Sequence, residues 1–280
     1  MIIALVNFGI LLTMLTCVAQ QEQSLHLPTH PFKHDLGVKI IPAKQPSDEL
    51  TICCHGYGHN GSIVDIVSSF GILPGTLIGF NFPDHDIRSD ADHSTCTHGT
   101  PDEIIPLLFL LKYVACDVGL KKINLYGFSA GGGAIINTLA VINQLLHEDK
   151  LVAMGIYKED LHTIRKALEH GLIILDCPLK SLAEIQDARP YNQQLSMMAA
   201  RYKENNMEPI EALSLLMGLT LSIVVHFQNP DEILTNRDDE LFVERLKDVN
   251  QGKTWAIFGQ NGKHNGYHRE LWSFVREYFA

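Results

Sequence analysis

The sequence predicts an α/β protein, a mainly parallel central sheet with helices on both faces. Three observations carry that prediction. Nearly continuous apolar runs recur at residues 50–54, 76–80, 123–126, 172–175, 221–225 and 254–258. Such short runs are strands buried on both faces, as in parallel sheets. Apolar residues return at helical spacing between them, clearly over 62–73, 157–170 and 269–279. Strand and helix alternating in this way build a parallel sheet with helical cover. The third observation is local. The run 123–126 passes through Gly127-Phe128-Ser129-Ala130-Gly131 into a helical pattern from Gly132 onward. A chain of 280 residues is long enough for one large domain with a sizeable core.

Taken in order, the chain opens on an uncharged apolar stretch, 1–19, that ends in Cys17-Val18-Ala19. Small residues there match what a signal peptidase reads, so a signal peptide cut after Ala19 and an exported protein are expected. The start lacks Lys or Arg, and an uncleaved membrane anchor or a lipid-modified Cys17 are the alternatives. Residues 20–280 form the domain. Residues 20–34 read as a polar lead-in, 36–43 as an early strand and 45–48 as a turn. The 81–99 stretch mixes Asp84, His85, Asp86, Asp90, Asp92, His93, Cys96 and His98 in a spacing that matches no metal site, and it reads as a solvated loop. Thr100-Pro101-Asp102-Glu103 has the form of a helix start, with Pro106 expected to kink the helix or delay it. Residues 181–218 read as two or three helices carrying Met197, Met198, Met207 and Met217, a small helical cap inserted between core strands. A polar-faced helix is expected over 235–249.

Composition excludes some functions. A net charge of −10 argues against nucleic acid, which is bound through basic stripes. Six cysteines become five if Cys17 is removed, an odd number without Cys-x-x-Cys spacing, so neither a disulfide framework nor a thiolate metal site is expected. Adjacent Cys53 and Cys54 on one strand must point to opposite faces, as small buried hydrophobes.

The chemistry concentrates in short motifs. Gly-x-Ser-x-Gly between a strand and a helix puts Ser129 at the tip of a strained turn, where Gly127 and Gly131 let strand and helix pass close by. The helix that follows aims its first N–H groups at that serine. Upstream, the strand 50–54 ends in His55-Gly56-Tyr57-Gly58, whose glycines let the backbone curl and turn an N–H inward. Candidate partners lie after later strands. They are Asp231 with its neighbour Glu232, Asp176, His264 in a Gly-x-His loop, and His268, which is expected to begin the last helix.

On these motifs and on the order Ser129, Asp231, His264, the sequence resembles the α/β-hydrolases. The resemblance spans roughly 36–280 as a pattern of elements, with its specific motifs in four short stretches. It implies Ser129 as nucleophile, His264 as base, Asp231 as the orienting acid, and the backbone N–H groups of Tyr57 and Ala130 as an oxyanion hole. The acid loop departs from the family in having His226-Phe227 at its start and Pro230 before the acid, so Glu232 and Asp176 stay open as alternatives. The implied activity is that of a serine hydrolase acting on a carboxylic ester or thioester, with neither cofactor nor metal. A small-molecule or lipid ester is the expected partner, with membrane contact only if the N-terminal segment is retained. A peptidase of the same fold and a non-catalytic binding protein are the other readings.

Overall fold

The computed structural model describes residues 37–45, 47–56, 59–82, 101–145, 155–181, 184, 208–260 and 263–280. The apolar first segment, the 81–99 loop beyond Phe82, the first half of the expected cap and Tyr57 lie outside the described residues.

Among the described residues the seven strands are β1 (Val38–Ile41), β2 (Glu49–Cys54), β3 (Thr76–Phe80), β4 (Lys122–Phe128), β5 (Leu172–Asp176), β6 (Ser222–Gln228) and β7 (Lys253–Gly259). They form one sheet in the order β1-β3-β2-β4-β5-β6-β7. Only the β1–β3 pair is antiparallel; every other neighbour pair runs parallel. The helices are α1 (Ile63–Ser69), α2 (Pro101–Lys112), α3 (Ala130–Leu145), α4 (Lys158–Glu169), α5 (Pro209–Ala212), α6 (Asp239–Val249) and α7 (Arg269–Tyr278).

Alternation along each strand sorts the core into two layers. Leu50, Ile52 and Cys54 of β2, with Ile123 and Leu125 of β4, pack against α2, α3, α4, α5 and α6. Cys53, Tyr126, Phe128, Ile174 and Val224 face the other way, onto α1 and α7. The adjacent cysteines therefore lie on opposite faces, as their spacing requires. Burial pushes the Cys53 thiol far above its ordinary pKa, and it behaves as a small hydrophobe.

Two stretches bear on the sequence reading. Pro106 neither delays nor breaks α2; the helix runs from Pro101 through it and ends in a wider π turn, Tyr113–Asp117. A helix whose other side chains, Leu107, Leu108, Leu110 and Leu111, are fully buried tolerates one missing backbone donor. The described part of the expected cap, α5 and the 3₁₀ turn Leu213–Leu216, packs on α3 as part of the larger core layer. Asn143 of α3 ties it down by donating its amide to the Leu215 and Met217 carbonyls, at 2.7 and 3.1 Å.

Just before the 185–207 stretch, Lys180 is buried between the carboxylates of Glu184 and Asp239, with Phe227 beneath its ammonium at 4.9 Å. Burial raises Glu184 to about 7 against the opposing pull of Lys180. Charges this deep persist only when paired, so the group pins the loop after β5 to the start of α6.

Candidate active site

The parallel strands bring one end of the sheet to a common edge, where ligands bind in open α/β sheets. Register sets the order along that edge. Cys54 lies beside Gly127, Phe128 beside Asp176, Asp176 beside His226, and Gln228 beside Gly259.

Ser129 sits between β4 and α3 with φ 51°, left-handed backbone that a side-chain-bearing residue adopts only under constraint. The constraint is visible on both sides. Its N–H donates to the Asp176 carbonyl at 2.9 Å, and its own carbonyl accepts from Gly132, Gly133 and Leu179. A Cβ on Gly131 would drive into the Cys54 and His55 carbonyls, and one on Gly56 would lie 3.1 Å from the Ser129 Cβ. Only glycine at these two positions lets the loop after β2 pass the serine. Ala130, the residue whose N–H the sequence assigns to an oxyanion hole, is the first residue of α3. The first N–H groups of a helix have no intrahelical acceptor.

The loop after β2 is held by a residue whose part the sequence did not reveal. His55 is fully buried; its Nε2 accepts from the Phe82 N–H at 3.1 Å, so its Nδ1–H donates to the Gly56 carbonyl at 2.8 Å. This bond fixes the Gly56 carbonyl, which also accepts the His59 N–H at 3.2 Å.

Asp231 and His264 come together. The His264 Nδ1 lies 2.8 Å from Asp231 Oδ2, while Asp231 Oδ1 accepts the N–H groups of Ile233 and Leu234 at 2.7 and 2.9 Å. Burial works to raise the Asp231 pKa, but the His264 hydrogen bond and charge outweigh it and the net shift is downward. Glu232 does a different job, as its carboxylate accepts the backbone N–H of His264 at 3.2 Å. The imidazole packs on Phe128, ring centroids 5.1 Å apart, which sets it beside the residue preceding the serine. Its Nε2 is buried and makes no hydrogen bond among the described residues, Ser129 included. Close by, His59 is disfavoured as a cation by burial and then by the positive form of His264.

Asp176 engages other histidines. Its Oδ1 receives the Nδ1 of His226 at 2.8 Å and the Nδ1 of His268 at 2.7 Å, and its Oδ2 receives the Tyr126 hydroxyl at 3.0 Å. His268 caps the start of α7, as expected from sequence, but its ring points into this cluster.

No protein-family profile matches the sequence, and no curated protein does. Solved structures do match. Est1E of Butyrivibrio proteoclasticus, solved with ferulic acid bound, aligns over 88% of this chain and 94% of its own, with a TM-score of 0.58 at 12% identity. A lipase/esterase from Lactobacillus plantarum aligns over 93% and 97%, with a TM-score of 0.58 at 16% identity. A monoacylglycerol lipase of Paleococcus ferrophilus aligns over 87% and 99%, with a TM-score of 0.55 at 12% identity. The chain has the α/β-hydrolase fold.

In this α/β-hydrolase fold, two groups of side chains have donor sets a metal could use. Cys177 with Asp231 and His264 is one; Asp176, Cys177, His226 and His268 are the other, each set with its atoms within 4.8 Å. Ligands around a tetrahedral zinc at about 2.0 Å stand about 3.3 Å apart. The Asp–His contacts here are 2.7 and 2.8 Å, the length of charge-assisted hydrogen bonds. Protons bridge these groups. The Cys177 thiol, raised by burial and then by Asp176 and Asp231, stays neutral between the two carboxylates.

Proposed function

We propose that the protein is a serine hydrolase that cleaves a carboxylic ester or thioester through an acyl-serine intermediate. The observation that carries the reading is the Asp231–His264 pair at 2.8 Å, its ring packed on Phe128, the residue before a serine held at φ 51°, with the His264 Nε2 uncommitted. The fold neighbours include enzymes named as an esterase/lipase and a monoacylglycerol lipase, which favours esters over peptides as the first substrates to try.

The steps follow from the geometry. Asp231 holds the Nδ1–H of His264, so the Nε2 lone pair is the one presented for proton transfer. As the Ser129 Oγ attacks the acyl carbon, its proton passes to that nitrogen. The carbonyl oxygen gathers negative charge, for which the Ala130 and Tyr57 N–H groups are the proposed donors, each lowering the barrier by about 3 kcal/mol. The imidazolium gives its proton to the leaving alcohol or thiol, the C–O or C–S bond breaks, and acyl-Ser129 remains. Water, losing a proton to His264, attacks the acyl carbon, and the acid departs as Ser129 recovers its proton.

The test is hydrolysis of short-chain and long-chain p-nitrophenyl esters by the protein and by Ser129→Ala. Activity in the first that disappears in the second supports the mechanism. Equal activity in both, or no labelling of Ser129 by a fluorophosphonate in a folded sample, overturns it. Export belongs to the same proposal, on the strength of the apolar 1–19 stretch. It requires a mature N-terminus at Gln20, and N-terminal sequencing that finds Met1 retained would reverse it.

A further inference from the structure

Next to the Asp231–His264 pair, with Cys177 between them, lies a second acid–histidine cluster that the proposed mechanism does not use. It is more deeply placed, with Asp176, His226 and His268 all buried. Its connections run to both halves of the candidate site. The Asp176 carbonyl accepts the Ser129 N–H at 2.9 Å, so Asp176 holds the backbone of the nucleophile. The carboxylate of the same residue accepts from His268 Nδ1 at 2.7 Å. The other ring nitrogen of His268, Nε2, lies 3.0 Å from the carbonyl of Lys263, the residue immediately before His264.

The protonation of His268 follows from these partners alone. Both of its nitrogens face oxygen acceptors with no hydrogen to give, and a neutral imidazole has only one N–H. Both bonds exist together only in the imidazolium. His226 is different: its Nδ1 faces Asp176, while its Nε2 faces the side-chain amide of Gln228 at 3.1 Å, which can donate to it. The neutral form satisfies His226. One positive charge on His268 then balances the one negative charge on Asp176, and the Tyr126 hydroxyl occupies the remaining carboxylate oxygen. Around His268 the other titratable groups are His226, with ring centroids 4.6 Å apart, the neutral Cys177 thiol, and more distantly Asp231, whose charge also favours the imidazolium.

We propose that Asp176 and His268 form a standing ion pair that locks the turn carrying Ser129 to the loop carrying His264, and so sets the separation of the two groups. They are positioning residues, and their role in turnover rests on the serine-hydrolase reading above. The pair links backbone to backbone: Ser129 N–H to Asp176, Asp176 to His268, His268 to the Lys263 carbonyl. His264 is thereby held from three sides, through Lys263, through Glu232 at its own N–H and through Asp231 at its ring. A neutral His268 must release either Asp176 or Lys263.

The experiment has two arms on the full chain. In the first, ¹⁵N-histidine NMR on Ser129→Ala reads protonation without reference to catalysis. At pH 6 both nitrogens of His268 should carry protons; a singly protonated His268 there overturns the proposal. In the second, His268→Gln, which keeps one hydrogen bond and loses the charge, is compared with the parent in ester turnover and fluorophosphonate acylation. The expected loss is up to about 100-fold in kcat, the cost of misplacing a catalytic group by about 1 Å, with KM within about twofold. The parent should also lose rate on the alkaline side as His268 deprotonates, and that limb should be absent from the variant. Unchanged kcat with the same alkaline limb in both proteins overturns the positioning role. A parent that never labels at Ser129 but shows doubly protonated His268 defeats the hydrolase reading and leaves the ion pair standing.

Discussion

Two acid–histidine assemblies, an upper one with Asp231 half-buried and a fully buried lower one, adjoin at Cys177 at the same edge of the sheet, and they use the same bond for opposite ends. In the upper one, Asp231 takes the Nδ1 of His264 at 2.8 Å and the Nε2 is left uncommitted. In the lower one, Asp176 takes His268 at 2.7 Å and the far nitrogen is bound to the Lys263 carbonyl. An imidazole with one nitrogen uncommitted can carry a proton between groups; an imidazole with both bound can only hold things together. The difference teaches that a close Asp–His contact does not by itself mark a catalytic pair. What the second nitrogen faces decides it.

The largest expected effect separates the two carboxylates by what each controls. Asp231→Asn can offer His264 an N–H where an acceptor is needed, which favours the wrong tautomer. We expect kcat for ester hydrolysis to fall about 10³–10⁴-fold while the unfolding midpoint in urea barely moves. Asp176→Asn should do the reverse in proportion. It leaves the His268 cation buried without its counter-charge, and about 3–5 kcal/mol of stability should be lost in urea unfolding. Equal stability losses for the two variants would dissolve the distinction.

The lower assembly also has a pH signature. Asp176 is raised by burial but lowered more by the hydrogen bonds from His226 and His268 and by the charge of His268, and its net shift is strongly downward from 3.8. Its contribution to stability is therefore present above pH 3.8 and is lost only as pH falls through the lowered folded value. His268 is lowered by burial but raised more by the Asp176 bond and charge, and its net shift is upward from 6.5. Its contribution is complete below pH 6.5 and is lost as pH rises through the raised folded value. The stability gap between the parent and His268→Gln should thus be widest at about pH 5–6 and close steadily on the alkaline side. A gap that does not change with pH would mean that folding leaves the His268 pKa where the unfolded chain has it, and a gap that narrows toward acid would mean that His268 is held neutral.

The sequence makes the members of the upper assembly legible as a set, and of the lower one it offers Asp176 and His268 singly without their meeting, for a physical reason. Ser129, Asp231 and His264 each stand in a turn or loop just past a strand, where glycine spacing and a break in the apolar run announce them. Asp176, His226 and Tyr126 are strand residues, and His268 starts a helix. Their meeting depends on parallel register, Asp176 beside His226, and on α7 folding back over the sheet. Periodicity states which face a residue takes but not which strand lies next to it. The part of His55 stays hidden for the opposite reason: the glycines carry the signal of its motif, while its ring sits inside, bonded to the Gly56 carbonyl and the Phe82 N–H. Most of the strands and helices were readable because long apolar runs leave few alternatives. At Pro106 the later helix start that the sequence allows does not occur, because a buried helix outweighs one missing donor.

The smallest effect concerns the neighbour that the sequence could not separate from Asp231. Glu232 lies one residue on and carries the same charge, yet it accepts the His264 backbone N–H at 3.2 Å rather than the ring. A carboxylate on a backbone donor steadies the loop and leaves the tautomer alone. A hydrogen bond to a charged group contributes about 1.5–3 kcal/mol when intact, and glutamine can keep an oxygen acceptor in the same place. Glu232→Gln should therefore retain kcat within about tenfold, with a pH–rate profile of unchanged shape. Asp231→Asn, measured beside it, should lose about 10³–10⁴-fold. If the two variants fall by similar factors, the loop rather than the tautomer limits turnover, and the upper pair differs less from the lower than its uncommitted nitrogen implies.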